Sequence, residues 1–133
     1  MSTVNKYQVI IPSDTNPLPE THEVSAAQVI SNFLKSDVEF IVRNNYKSPD
    51  INIGGVLWEI KSPTGTGKRN IERQLQLAMK QSENIIFDAR RSKIHIVKIR
   101  NKLIYQANLT KRLKNLFLIT KSGNVEIIKQ FLK

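Results

Sequence analysis

The chain has 133 residues, no cysteine, two histidines and 21 Lys+Arg against 11 Asp+Glu, giving a formal charge of +10 and a pI near 10.0. One domain suits this length, and the absence of cysteine excludes disulfide scaffolds, zinc-thiolate sites and thiol nucleophiles, while His22 and His95 are too few for a multi-histidine metal centre. The positive excess asks for a polyanionic partner, nucleic acid first, although an acidic protein or anionic lipid would leave the same footprint. No segment resembles a signal peptide or a membrane span, so the chain reads as soluble.

Residues 1–21 contain little periodic apolar pattern, and three of the five prolines fall between Ile11 and Thr21. They read as an extended lead-in or linker to a single domain over residues 22–133. From His22 to Lys35, Val24, Ala27, Val29 or Ile30, Phe33 and Leu34 recur at helical spacing, with Thr21 as the expected N-cap. Asp37 to Val42 suits a strand, followed by turn residues Asn44, Asn45 and Lys47. Two alternating runs, Asp50 to Ile53 and Val56 to Lys61, flank Gly54-Gly55 and predict a β-hairpin, because a two-residue turn of that kind needs positive φ.

Ser62-Pro63 ends the second strand, and a loop leads to a helix over about 69–82 marked by Ile71, Leu75, Ala78 and Met79. Gly65-Thr66-Gly67-Lys68 lacks P-loop spacing, which argues against nucleotide hydrolysis, but Lys68, Arg69 and the helix N-terminus can grip a phosphate. Strands follow at 84–89, 116–120 and 125–129. Residues 93–114 fit either a strand or a helix locally; helix is preferred, because a crossover joins two parallel strands better than a long loop does. The expected fold class is α/β, a mixed sheet with a mostly parallel core flanked by helices.

The hairpin gathers the chemistry. Asp50 heads one strand, and Glu59 and Lys61 share a face of the other, because side chains alternate along a strand. Two carboxylates brought together in this way can hold a divalent cation such as Mg²⁺, with waters and substrate phosphate completing its shell. Such an ion polarises a phosphoryl group and acidifies water, and a neighbouring lysine orients the water or stabilises developing charge. The bland alternative for Glu59 and Lys61 is a solvated ion pair.

The spacing Pro49-Asp50 through Glu59-Ile60-Lys61 resembles the signature of the PD-(D/E)xK nuclease superfamily, and the order helix, hairpin, helix agrees with it. In that superfamily an acidic residue on the preceding helix often completes the metal site, which would be Glu23; the alternative is that Glu23 favours the helix dipole. Over about residues 22–125, the runs Trp58 to Gly67, Asn70 to Leu75, Lys80 to Ile86 and Asp88 to Arg91 resemble the C-terminal tRNase toxin domain of contact-dependent growth inhibition proteins of the CdiA type. Residues 94–110 depart from the family in being unusually apolar.

The resemblance implies a PD-(D/E)xK (restriction-endonuclease-like) core, cleavage of tRNA, and neutralisation by a cognate immunity protein, which against a +10 chain should be acidic. It also implies action in the bacterial cytoplasm, after delivery to a neighbouring cell as part of a larger secreted protein. Catalytic roles then fall to Asp50, Glu59, Lys61 and Glu23, with Asp50 and Glu59 as the metal ligands. Ser62, Thr64, Lys68, Gln74, Arg90 and Arg91 are expected to bind substrate, and Asp88 to orient an arginine or add a third acid. Ser82 and Asn84 read as turn and cap residues, Gln81 as solvated, and Lys111, Arg112 and Lys114 as diffuse positive charge. Trp58 should face the core. His22 and His95 are possible acid-base groups, more often structural. Rival readings are a DNase with the same site, a metal-independent RNase using the 2′-OH as nucleophile, and a basic nucleic-acid-binding module without activity.

Overall fold

The computed structural model describes residues 6–42 and 48–131. Ten elements follow in chain order: β1 (Val9–Ile10), α1 (Thr21–Leu34), β2 (Val38–Phe40), β3 (Ile51–Ile53), β4 (Val56–Lys61), α2 (Asn70–Met79), β5 (Asn84–Asp88), α3 (Ile96–Leu109), β6 (Asn115–Ile119) and β7 (Val125–Lys129). The strands form one seven-stranded sheet in sequence order. Its centre, β4-β5-β6, is parallel; β2-β3, β3-β4 and β6-β7 are antiparallel, and β1 joins β2 in parallel.

Alternation along the strands divides the core in two. Trp58, Ile60, Ile86, Phe117 and Ile119 pack under α1 through Ala26, Ala27 and Ile30. On the other face, Ile85, Phe87, Leu116 and Leu118 meet Ile71, Leu75 and Ala78 of α2 and Ile99, Leu103 and Ala107 of α3. Trp58 is a core residue as its alternation predicts, its ring 4.9 Å from that of Phe117. Residues 96–109 are helical, as preferred, because Ile99, Leu103 and Ala107 present one buried stripe to the sheet. The Arg100 guanidinium grips Glu126 with two bonds of 2.7 and 2.8 Å, tying α3 to β7 and holding the Glu126 carboxyl below its ordinary pKa.

Three details differ from expectation. The N-cap of α1 is Glu20, one residue before Thr21, because the Glu23 carboxylate reaches back to accept the Glu20 N–H at 2.9 Å. α2 ends at Met79, since Gln81 and Ser82 turn back to the Ala78 carbonyl. Val9–Ile10, within the stretch read as a lead-in, is an edge strand, docked further by the Gln8 N–H donating to Asp37 Oδ1 at 2.9 Å. The turn expected at Asn44, Asn45 and Lys47 lies outside the described residues. No helix among the described residues is long and apolar enough to cross a membrane.

Candidate active site

The hairpin turns through Gly54 (φ 57°) and Gly55 (φ 89°), where a Cβ would be strained, and Asn52 Oδ1 accepts the Gly55 N–H to close it. Beyond the turn β4 changes partners. Val56 to Trp58 pair with β3, whereas Glu59 to Lys61 pair with β5. Where β3 and β4 part, the buried Ile60 N–H would lose its acceptor. The Asp50 carboxylate supplies one, with Oδ2 accepting at 2.8 Å, while the Asp50 N–H still donates to the Trp58 carbonyl.

Asp50 is therefore held at the fork and is only 2% exposed. Its alternation with Ile51, which lies in the α1-side core, puts it on the α2 side of the sheet. Glu59 and Lys61 share that side, because Trp58 and Ile60 between them face α1. Glu59 is 7% exposed, and its Oε2 lies 3.7 Å from Lys61 Nζ. The structure thus brings Asp50, Glu59 and Lys61 to one face at one break in the ladder. Both carboxylates offer oxygen donors of the kind that suits a hard divalent cation, with two protein ligands and the rest of the shell left to water and phosphate. Among the described residues, no group of three or more His, Asp or Glu side chains is arranged to hold a metal ion.

Just past the end of β4, Ser62 Oγ is buried without a hydrogen-bond partner among the described residues, and the Ser62 carbonyl accepts from Arg91 Nη1 at 3.4 Å. Arg91, exposed, thus stands beside the end of β4. Thr64 and Lys68 are exposed on the loop that follows. The Lys68 carbonyl is taken by Lys102 Nζ at 2.7 Å. Gln74 is half-buried on the flank of α2, between the buried Ile71 and Ala78.

Other candidates are committed elsewhere. Glu23, on α1 and so on the opposite side of the sheet, caps its own helix. Arg90 makes a two-pronged pair with Asp88, Nε to Oδ1 at 2.9 Å and Nη2 to Oδ2 at 2.8 Å, and a third bond to Ser25 Oγ of α1 at 3.0 Å. The hydrogen bond to Asp88, and then its negative charge, raise the Arg90 pKa above its ordinary value. Asp88 orients an arginine as expected, but the two lie on the α1 side. His22 pairs with Glu20 at 3.3 Å, and His95 caps α3 by accepting the Val97 N–H at 3.1 Å. Ser82 and Asn84 both donate to the Leu57 carbonyl, at 2.7 and 3.1 Å, locking the start of β5 to β4.

The double duty of Asp50 is testable. Asp50→Ala is expected to cost about 1–3 kcal/mol, the cost of stranding a buried N–H, and to lower the melting temperature accordingly. Asp50→Asn keeps an acceptor for Ile60 and should retain most of that stability while losing the negative charge. Thermal melts of the two variants separate the structural part from the chemical one.

The fold resembles that of a CdiA-CT/CdiI toxin and immunity complex from Burkholderia pseudomallei, with TM-score 0.59 and 20% identity over 92% of this chain and 98% of the other. A comparison with curated protein sequences finds no match. A family model described as the contact-dependent growth inhibition CdiA C-terminal domain matches residues 47–125, from the approach to β3 through the start of β7. That span holds Asp50, Glu59, Lys61 and both central crossovers and is more than half of the chain, so the protein belongs to the CdiA C-terminal domain family of contact-dependent growth inhibition and has the fold of a toxin of that system.

Proposed function

We propose that this domain is a toxin nuclease, an endoribonuclease acting on tRNA, that cleaves at the face formed by Asp50, Glu59 and Lys61. The observation that carries the reading is the fork between β3 and β4, where two buried carboxylates and a half-buried lysine share one side of the sheet.

Asp50 and Glu59 would hold a divalent cation, probed most simply as Mg²⁺. When bound, that ion would acidify the attacking water and draw charge from the phosphoryl oxygens. Lys61, beside Glu59, stabilises negative charge developing on the phosphate. The exposed Arg91 guanidinium, which reaches the Ser62 carbonyl at the end of the same strand, would hold the phosphate in register. An immunity protein of acidic character would cover this face, by analogy with the toxin and immunity complex whose fold the chain shares. The toxin would act in the cytoplasm of a bacterium that receives it from a larger delivered protein.

The deciding experiment incubates purified protein with total tRNA and with plasmid DNA, in Mg²⁺ or in EDTA. Discrete tRNA fragments with intact plasmid are the expected result, and loss of cutting in EDTA would support the cation. Plasmid cleavage with intact tRNA would make the domain a DNase. Fragments bearing 2′,3′-cyclic phosphate that survive EDTA would replace the cation by a 2′-OH mechanism, and no cutting of either substrate would overturn the nuclease reading.

A further inference from the structure

Between α2 and α3 lies a cleft of about 630 Å³, apart from the hairpin residues and lined by Arg69, Arg73, Gln76, Asn101, Lys102 and Tyr105 among others. We infer that it is a second nucleic-acid subsite, which takes a single-stranded or looped stretch of RNA by holding phosphates on Arg69 and Arg73 and stacking a base on Tyr105. The inference rests on the nuclease reading and deepens it, by naming where substrate beyond the cut is held.

Arg69 and Arg73 stand one helical turn apart, about 6 Å along the axis, on the same side of α2. Among the described residues neither is in an ion pair, whereas the other cation of the cleft, Lys102, is spent on Glu72 at 3.1 Å and on the Lys68 carbonyl at 2.7 Å. The cleft therefore presents two uncompensated guanidinium forks, the geometry suited to phosphate. Opposite them, Tyr105 is 63% exposed on the outward side of α3, while Leu103 and Ala107 are buried against the sheet. An aromatic ring left in water, in a cleft it shares with two arginines and amide side chains, is ill placed for packing and well placed for a nucleobase.

The location agrees. β4 and β5 are parallel, so α2 must run back between them, and its first turn lies at the edge of the sheet where β4 ends in Lys61. The cleft and the proposed cutting face thus share one side and one edge. A groove between two packed helices is too narrow for a duplex, whose recognition needs a broad surface, but admits an unpaired strand.

The test uses the full chain carrying Glu59→Gln, so that substrate survives, and a fluorescent 12-nucleotide RNA with inorganic polyphosphate as the base-free control. Arg69→Ala/Arg73→Ala should weaken RNA and polyphosphate binding tenfold or more, and lower the slope of log affinity against log salt by about 1.4. Tyr105→Ala should weaken RNA alone by about 5- to 100-fold, and Tyr105→Phe should restore it. All three positions are exposed, and unchanged melting curves would verify folding; Arg73→Glu provides a second variant with a stronger expected loss. RNA binding within twofold of the parent in the arginine variants, or in Tyr105→Ala, would overturn the subsite and leave the cleft to another occupant such as an acidic protein. Failure of the chain with Glu59 intact to bind or cut any nucleic acid would sink the nuclease reading, a result distinguishable from subsite variants that match a Glu59→Gln parent which binds RNA.

Discussion

Replacing Glu59 by Gln is expected to reduce RNA cleavage by about 10²–10³-fold or more, and to relieve toxicity in cells, with the fold intact. Gln occupies nearly the same volume at a site that is 7% exposed, so packing is conserved and only the charge is lost. That charge has two uses in the proposed chemistry: it binds the cation, and it fixes Lys61 at 3.7 Å. Both act on charge that develops in the transition state, where a single preorganised group is worth about 3–4 kcal/mol. Lys61→Ala should fall comparably, and Lys61→Arg should not rescue it, because a planar fork cannot replace a compact ammonium beside Glu59. Initial rates on tRNA, taken with circular dichroism of each variant, check this. A Glu59→Gln protein that keeps a tenth of the parental rate would remove Glu59 from the chemistry.

Arg90→Ala and Arg91→Ala should behave as opposites although they are neighbours. Arg90 neutralises Asp88, which is 1% exposed, and links it to Ser25 of α1. Its removal strands a buried carboxylate and cuts the tie between β5 and α1. Loss of one partner of a fully buried pair costs about 3–5 kcal/mol; because Arg90 is partly exposed and its backbone N–H still bonds Asp88, about 2–3 kcal/mol is expected here. Arg91 is exposed, with one long bond to the Ser62 carbonyl, so Arg91→Ala should leave stability nearly unchanged and instead weaken substrate binding. Denaturant melts and KM measured on both variants decide it. A stable Arg90→Ala protein with raised KM would return Arg90 to phosphate binding.

The same contrast shows how far local pattern reaches. Residue order alone made Arg90 and Arg91 equivalent phosphate ligands, because both follow an apolar strand. They differ only because alternation sends Asp88 toward α1, where Arg90 can meet both it and Ser25, 65 residues away in sequence. Glu23 is a second case. An acid at a helix start is compatible with a metal site or with a cap, and its bond to the Glu20 N–H is the capping geometry. Ser82 and Asn84, read as turn residues, are also bonded to β4, which adds a cross-strand role to their local one.

What sequence by itself determined is the hairpin and its charge pattern. Gly54-Gly55 demands the turn, and period-two alternation then forces Glu59 and Lys61 onto the face away from Trp58; both are local rules that need no partner strand. The helices α1 and α2 follow from apolar spacing in the same way, whereas helix for 96–109 followed from the need for a crossover between two parallel strands. Tertiary structure alone decided the rest. The edge strand Val9–Ile10 is two residues long and exists only because β2 offers it a partner, so no local signal marks it. The break between β3 and β4 that turns Asp50 into both a backbone acceptor and a buried acid depends on β5 drawing Glu59 to Lys61 away. Likewise the cleft holding Arg69, Arg73 and Tyr105 arises when two helices separated by a strand are laid side by side, a juxtaposition that spacing along either helix cannot express.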